Sequence, residues 1–199
     1  MEENIFLEGR YIKLQKLNPE KDCDELYEIS HGNKDKESIW IWLNVDHYKK
    51  PFENKDIFLN YLIDQYNDPD CIPFTVIDKK SNKKIGQICY INIVSCHKRI
   101  EIGHVWYGKE YHGSKVNTES VFLMLYNIFE ILKYRRAEWK TNSKNIASHK
   151  AALKIGFTYE GTFRQHMFLN NTNRDTNWYS MLDIEWEEKK KIIIDRLNK

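Results

Sequence analysis

Between residues 100 and 132 the apolar residues change their period, and this switch constrains the fold more than any other feature. Ile100, Ile102, His104 and Trp106 alternate with Glu101, Gly103, Val105 and Tyr107, the two-residue repeat of a strand. After Gly108–Asn117, the residues Val121, Leu125, Ile128, Phe129 and Leu132 recur at i, i+4, i+7, i+8 and i+11. That spacing predicts a helix with one buried stripe. A strand therefore runs through a short loop into a helix opening near Thr118. Such a junction presents backbone N–H groups without partners and the positive end of a helix dipole, and phosphates bind there. Gly108 and Gly113 allow close approach, Lys109 and Lys115 add positive charge, and Asn117 is read as the helix cap. Neither G-x-x-x-x-G-K-[ST] nor G-x-G-x-x-G occurs in the loop, so it is neither a P-loop nor a dinucleotide fingerprint.

The same reading extends along the chain. Gly9–Leu14 alternates as a first strand. Asn18-Pro19 offers an N-cap with proline at the first helical position, and predicts a helix ending near His31-Gly32. Residues 33–53 fit no element clearly. A second helix is predicted from Asn54 to Gln65. Phe74–Ile77 and Ile85–Val94 read as a hairpin, paired onward to the strand that includes Ile100. Ala137–Lys140 is a short strand, and Ser148–Lys154 a helix closed by Gly156. Phe157–Phe163 and Asn177–Ile184 are late strands joined through Asn170–Arg174, and Glu185–Arg196 a terminal helix. The order is an α/β domain expected to span residues 1–199, with 185–199 as its last helix.

Composition excludes several classes. Hydrophobic residues at 41% and charged residues at 30% supply enough apolar surface for a core, against disorder. No apolar run reaches membrane-spanning length, and Met1-Glu2-Glu3-Asn4 lacks the basic and apolar regions of a secretory signal. Cys23, Cys71, Cys89 and Cys96 form no C-x-x-C pair, so free thiols in a cytoplasmic protein are expected. No His/Cys/Asp/Glu cluster has metal-ligand spacing, so no metal is expected. The net charge of +2 argues against nucleic acid. The charge is nevertheless uneven. Residues 18–67 hold eleven acids against six lysines, net −5, and residues 108–154 hold nine bases against four acids, net +5.

Several stretches together carry a family resemblance. They are Glu101–Trp106, His112-Gly113-Ser114-Lys115-Val116-Asn117-Thr118-Glu119, Arg136–Lys140, Asn145-Ile146-Ala147-Ser148, Ile155–Gly161, Phe163-Arg164-Gln165-His166 and Arg174-Asp175-Thr176…Trp178-Tyr179-Ser180. In this order, from Arg10 to Trp186, the chain resembles the GNAT acyltransferases, in the branch related to ribosomal-protein N-terminal acetyltransferases of the RimJ/RimL type. The resemblance implies a mixed, mostly antiparallel sheet of about seven strands, splayed in its middle, with helices on both faces. It implies that acetyl-CoA enters between Glu101–Tyr107 and Ala137–Thr141, its phosphates on residues 112–118. The family's phosphate pattern [QR]-x-x-G-x-[GA] falls on His112, Lys115 and Asn117, a departure at all three places. Lys115 then either adds a phosphate contact, obstructs one, or is a solvent-exposed lysine.

The same resemblance assigns Asn145 to the pantetheine arm and Ser148 to the departing thiolate; both also read as N-cap residues. The family's tyrosine acid is replaced by Ala152, which leaves Ser148 as the candidate. The attacking amine must be neutral, so a base or a water chain takes its proton. Glu101 is one candidate, with a cross-strand ion pair to Arg99 or to a neighbouring strand as its structural alternative. His166 is the other, set against a structural histidine. His104 is expected in the core, His112 and His149 at the surface or in a loop, and Arg174 paired with Asp175. Trp40, Trp42, Tyr48 and Phe52 either line an acceptor pocket or pack in the core. Backbone groups around Val105 and Trp106 are expected to hold the acetyl carbonyl.

The expected function is direct acetyl transfer from acetyl-CoA to a primary amine of a small molecule or a peptide N-terminus, by a monomer or homodimer. The charge split suggests a cationic acceptor drawn to the acidic helices. Two rivals are a CoA-binding regulator without catalysis and a nucleic-acid-binding module using the basic stretch and Lys189–Lys191.

Overall fold

The computed structural model describes residues 6–43, 47–169 and 171–199. Met1–Asn4, Asp46 and Asn170, which enter the sequence reading above, lie outside the described residues. The elements in chain order are β1 (Phe6–Glu8), β2 (Ile12–Lys16), α1 (Pro19–Ser30), α2 (Lys34–Glu37), α3 (Lys55–Asn67), β3 (Cys71–Asp78), β4 (Lys84–Val94) and β5 (Arg99–Tyr107). They continue with α4 (Val116–Tyr126), β6 (Arg136–Asn142), α5 (Ile146–Ile155), β7 (Thr158–Leu169), β8 (Thr172–Leu182) and α6 (Asp183–Asn198). The strands form one sheet in the order β1-β2-β3-β4-β5-β6-β8-β7. Its eighth strand is the short β1, antiparallel to β2.

Local sequence explains the helix ends. Asn18 caps α1 through its side chain on Lys21 N, with Pro19 in the first turn. Asn54 caps α3 in the same way on Ile57 N. Gly156, at φ +114°, closes α5, and its N–H donates to Ala152 O at 3.1 Å. The unassigned stretch after α1 becomes the single turn α2 and a 3₁₀ turn over Ser38–Trp42.

Among the described residues the only parallel neighbours are β5 and β6, and their ladder holds just three pairs: Arg99 with Arg136, Ile100 with Ala137, and Glu101 with Glu138. Beyond Glu101 both strands continue but no longer pair, so the sheet opens there. Side-chain alternation sorts the two faces. Ile100, Ile102, Ala137, Trp139, Tyr179 and Met181 pack with Val121, Met124 and Leu125 of α4 and with Ala152 and Ile155 of α5. Glu101, Lys140 and Trp178 stand on the opposite face, where α1 and α3 build a second core from Leu26, Trp40, Phe58, Tyr61 and Leu62.

A bulge corrects the uniform alternation expected along β5. Gln87 faces Trp106 and Cys89 faces Gly103, so His104 and Val105 together oppose Ile88. His104 takes φ +48°. The extra residue inverts the sense of everything after it. Trp106 joins the second core, and His104 is half-buried rather than core. The start of α4 is corrected too. Lys115 holds its N-cap position with no side-chain cap, and Asn117 lies inside the first turn.

Candidate active site

A cleft of about 750 Å³ runs from the loop before α4, through the opening between β5 and β6, to β8. Its loop end is built for an anion. Gly113 has φ +74° and open space where a Cβ would stand. Among the described residues the N–H groups of Gly113, Lys115, Asn117 and Thr118 meet no acceptor. These are first-turn donors aimed along a helix dipole. His112 closes the loop onto the strand, Nε2 lying 3.1 Å from Tyr107 O. As donor to a carbonyl, that nitrogen carries the proton.

The Lys115 side chain is turned away from the cleft, whose lining does not include it. Its ammonium donates to Leu197 O at 2.8 Å and to the Tyr11 hydroxyl at 3.1 Å, tying the loop to the end of α6. The loop lysine that lines the cleft is Lys109, which donates to Ser38 Oγ at 3.2 Å. Glu119, one turn into α4, fixes the helix to β2. Its carboxylate accepts from Arg10 N, Tyr11 N and Ile12 N at 2.7, 2.7 and 2.8 Å.

Ser148 and Asn145 reach the cleft from the α4/α5 face. Asn145 Oδ1 accepts from Ser148 N at 3.1 Å, the expected cap on α5. Trp139 Nε1–H donates to Ser148 Oγ at 3.0 Å. The oxygen accepts that bond, so the hydroxyl keeps its own proton to donate. Trp139 was not among the expected site residues. Its signal was its place next to Lys140 on a strand edge of the opening.

Glu101 reaches the cleft from the other face. It is 4% exposed. Its Oε2 accepts from Lys140 Nζ at 2.7 Å and from Asn92 Nδ2 at 2.6 Å. The ion pair thus runs to the neighbouring strand β6 and not to Arg99, which pairs with Glu138 at 3.3 Å. Lys140 also lies 4.0 Å from the Trp178 ring centroid, its register partner on β8. Lys140 and Asn92 meet Glu101 from the two strands flanking β5, a convergence set by strand register and not by local sequence. His166 is exposed at the cleft rim, Nδ1 3.1 Å from Thr176 Oγ1 and its ring edge-on to Phe163 and Trp178. His149 is half-buried rather than at the surface, Nδ1 2.5 Å from the Tyr179 hydroxyl.

Three further expectations are corrected. Trp40 does not line the cleft: it is 0% exposed, and its indole N–H donates to Ser30 O at 3.2 Å. Trp42, 38% exposed, does line it, beside Ile39 and Leu43. Arg174 and Asp175 do not pair. Asp175 accepts from Gln165 N at 2.7 Å, while Arg174 points into the cleft. Finally, no acid from the described part of residues 18–67 lines the cleft. Asp24 pairs with Lys55, Asp22 and Glu25 with Lys84, Asp35 with Lys109, and Asp64 accepts from Tyr48.

Among the described residues no group of three or more His, Cys, Asp or Glu side chains is placed to hold a metal ion, and no helix is long and apolar enough to cross a membrane.

With the site in view, the comparisons converge. A family model described as an acetyltransferase (GNAT) domain matches residues 12–158. A crystal structure of a GCN5-related N-acetyltransferase from Brucella melitensis is 36% identical, with a TM-score of 0.90 over 98% of this chain and 86% of its own. The Bacillus subtilis protein YdaF, named as a ribosomal N-acetyltransferase, is 26% identical over 92% of this chain and 97% of its own length. The ribosomal-protein-serine acetyltransferase of Escherichia coli is 28% identical over 52% of this chain and 57% of its own.

Proposed function

Because the chain belongs to the GNAT acetyltransferase family and is thus an N-acetyltransferase with acetyl-CoA as donor, we propose that it moves the acetyl group directly to a primary amine of a small molecule or a peptide N-terminus. The names of YdaF and the Escherichia coli relative support the peptide N-terminus. Four cysteines without disulfides fit work in the cytoplasm, with residues 1–199 acting as one catalytic domain.

One observation carries the reading. Ser148 and Glu101 come from opposite faces of the sheet, yet both line the same cleft, because the β5–β6 ladder ends at Glu101. In the proposed reaction acetyl-CoA supplies an activated acyl group, and the protein supplies position and charge. The N–H groups of Gly113, Lys115, Asn117 and Thr118, before and at the start of α4, receive the diphosphate, with Ser114 and Val116 beside them. His112 holds that loop against β5. Asn145 meets the pantetheine arm. Beyond Glu101 the β6-facing edge of β5 is unpaired, and backbone groups of Val105 and Trp106 on it hold the acetyl carbonyl as charge builds on it.

The Ser148 hydroxyl, oriented by Trp139, donates its proton toward the departing sulfur. Glu101 takes the amine proton, directly or through water, with Lys140 and Asn92 fixing its carboxylate. His166, at the rim, is the second group able to accept it. Trp42 covers the acceptor side. Nothing in this scheme needs an acyl-enzyme.

Thiol release from acetyl-CoA, measured over amines, amino acids and N-terminal peptides, tests the reading. Ser148→Ala should lower kcat on the order of tenfold to a thousandfold, the effect of losing one transition-state donor. Its affinity for acetyl-CoA should stay close to that of the parent. A variant that loses thermal stability in proportion to activity would reduce Ser148 to a packing role. Acetyl-CoA binding without thiol release to any amine would favour the CoA-binding regulator.

A further inference from the structure

Among the described residues Arg174 is the one guanidinium in the cleft lining, and no carboxylate forms an ion pair with it. It is half-buried on β8. Its Nε is buried without a hydrogen-bond partner. Among the described residues no carboxylate lies within ion-pair distance of it. The neighbouring Asp175 is held by the Gln165 N–H, as adjacent residues on a strand point to opposite faces. Glu101 is the carboxylate whose field reaches it, but Glu101 is already engaged by Lys140 at 2.7 Å and by Asn92. Nearby charges otherwise balance: Arg99 and Arg136 pair with Glu138 and Glu160. A half-buried cation without a partner is unfavourable unless something else supplies the anion.

The register shows on which side that anion arrives. Thr176 pairs with Asn142 and Trp178 with Lys140. Arg174, Thr176 and Trp178 are two residues apart on β8 and share a face with Lys140 and Glu101. The loop N–H groups and Ser148 approach from the opposite face, with α4 and α5. Arg174 therefore stands with the groups proposed to meet the acceptor, not with those proposed to hold phosphate. The described part of residues 18–67, the acidic helices and their flanks, contributes no acid to this end of the cleft.

We propose that Arg174 determines acceptor specificity by binding a carboxylate carried beside the reacting amine. This rests on the acetyl-transfer reading above. Two sources share that chemistry: the α-carboxylate of a free amino acid, and an acidic side chain next to the N-terminal residue of a peptide. Arg174 offers a planar fork of donors that suits either. The subsite selects against amides and against acceptors whose second charge is positive, the reverse of what the linear charge split suggested.

Matched acceptors test it. Acetyl-CoA binding is measured first by calorimetry, with no acceptor present; a protein that does not bind it overturns the acetyl-transfer reading and the subsite with it. Thiol release is then compared for serine against serinamide, and for amidated tripeptides with aspartate or asparagine at the second position. The parent protein should favour the carboxylate member of one pair by about tenfold to a hundredfold in kcat/KM, the scale of one charge-assisted contact. The pair that shows it identifies the source. Arg174→Gln should bring that ratio to within about twofold with acetyl-CoA affinity unchanged, and Arg174→Lys should fall between. Equal use of both members by the parent, a preference that survives in Arg174→Gln, or acetyl-CoA binding with no carboxylate acceptor turned over would each overturn the proposal. The parent's own ratios decide the matter even if Arg174→Gln fails to fold.

Discussion

Glu119→Gln should destabilise the protein far more than its small chemical change suggests. Glu119 is 3% exposed and accepts three backbone N–H groups of the chain entering β2. Oε1 takes Arg10 N, and Oε2 takes Tyr11 N and Ile12 N. Glutamine keeps one oxygen. Turned toward Tyr11 and Ile12, it retains two bonds but aims its NH₂ group at the Arg10 N–H. Orphaning the part-buried Arg10 donor and turning an NH₂ group against it costs about 1–3 kcal/mol, and two remaining bonds without charge assistance lose several tenths each. The sum is about 3 kcal/mol, or a fall of roughly 6–12 °C in Tm for a chain of this size. There is little room for relaxation, because a Cβ on Gly9 would sit only 2.4 Å from Glu119 Cδ. Urea denaturation should show a lower midpoint at unchanged slope. As Glu119 lies in the first turn of α4, acetyl-CoA affinity should fall with it. A variant within about 0.5 kcal/mol of the parent, the range of ordinary surface changes, would refute the reasoning.

Glu101→Gln should reduce kcat/KM by about a hundredfold or more, the usual scale of general base catalysis, with the loss greatest at low pH where free amine is scarce. A parallel His166→Gln series assigns the proton, and an unaltered pH–rate profile in the Glu101 variant removes that residue from the role. Glu160 gives a separate pH signature: hydrogen bonds from Arg136 hold its carboxyl down at about 2, helped by the Ser180 hydroxyl. A depressed carboxyl stabilises the fold fully above its unfolded value of about 4.3 and loses that contribution as pH falls toward the folded value. Acid titration of stability should therefore be flatter between these limits in Glu160→Gln, and equal slopes in the two proteins would contradict the assignment.

What could be read from the sequence was local. Asn18-Pro19, Asn54, and Asn145 with Gly156 mark helix ends because a cap needs only three or four neighbouring residues. The strand–loop–helix at 100–132 was legible for the same reason. The bulge at His104 was not, since it is set by how Gln87 and Cys89 register against the strand. It moved His104 out of the core and Trp106 across the sheet. Charge summed along the chain failed in another way. Asp22, Asp24 and Glu25 lie in one acidic stretch, but each finds a lysine outside the cleft. Trp40 and Trp42 are two residues apart and equally aromatic; one is core and the other cleft, a difference made by tertiary packing. The separation of Arg174 from Asp175 was available in principle, because strand neighbours face opposite ways.

Trp139 and Lys140 connect these strands of argument. As neighbours on β6 they point to opposite faces, Trp139 to Ser148 and Lys140 to Glu101. In an unbroken sheet those two side chains could not serve one reaction, because the backbone layer would lie between them. The parallel β5–β6 ladder stops after three pairs, so the layer is missing where both are needed. The donor's sulfur and the acceptor's amine then approach from opposite faces, each oriented by its own half of β6. A substitution that extended the ladder past Glu101 would close the passage while leaving every one of these side chains in place.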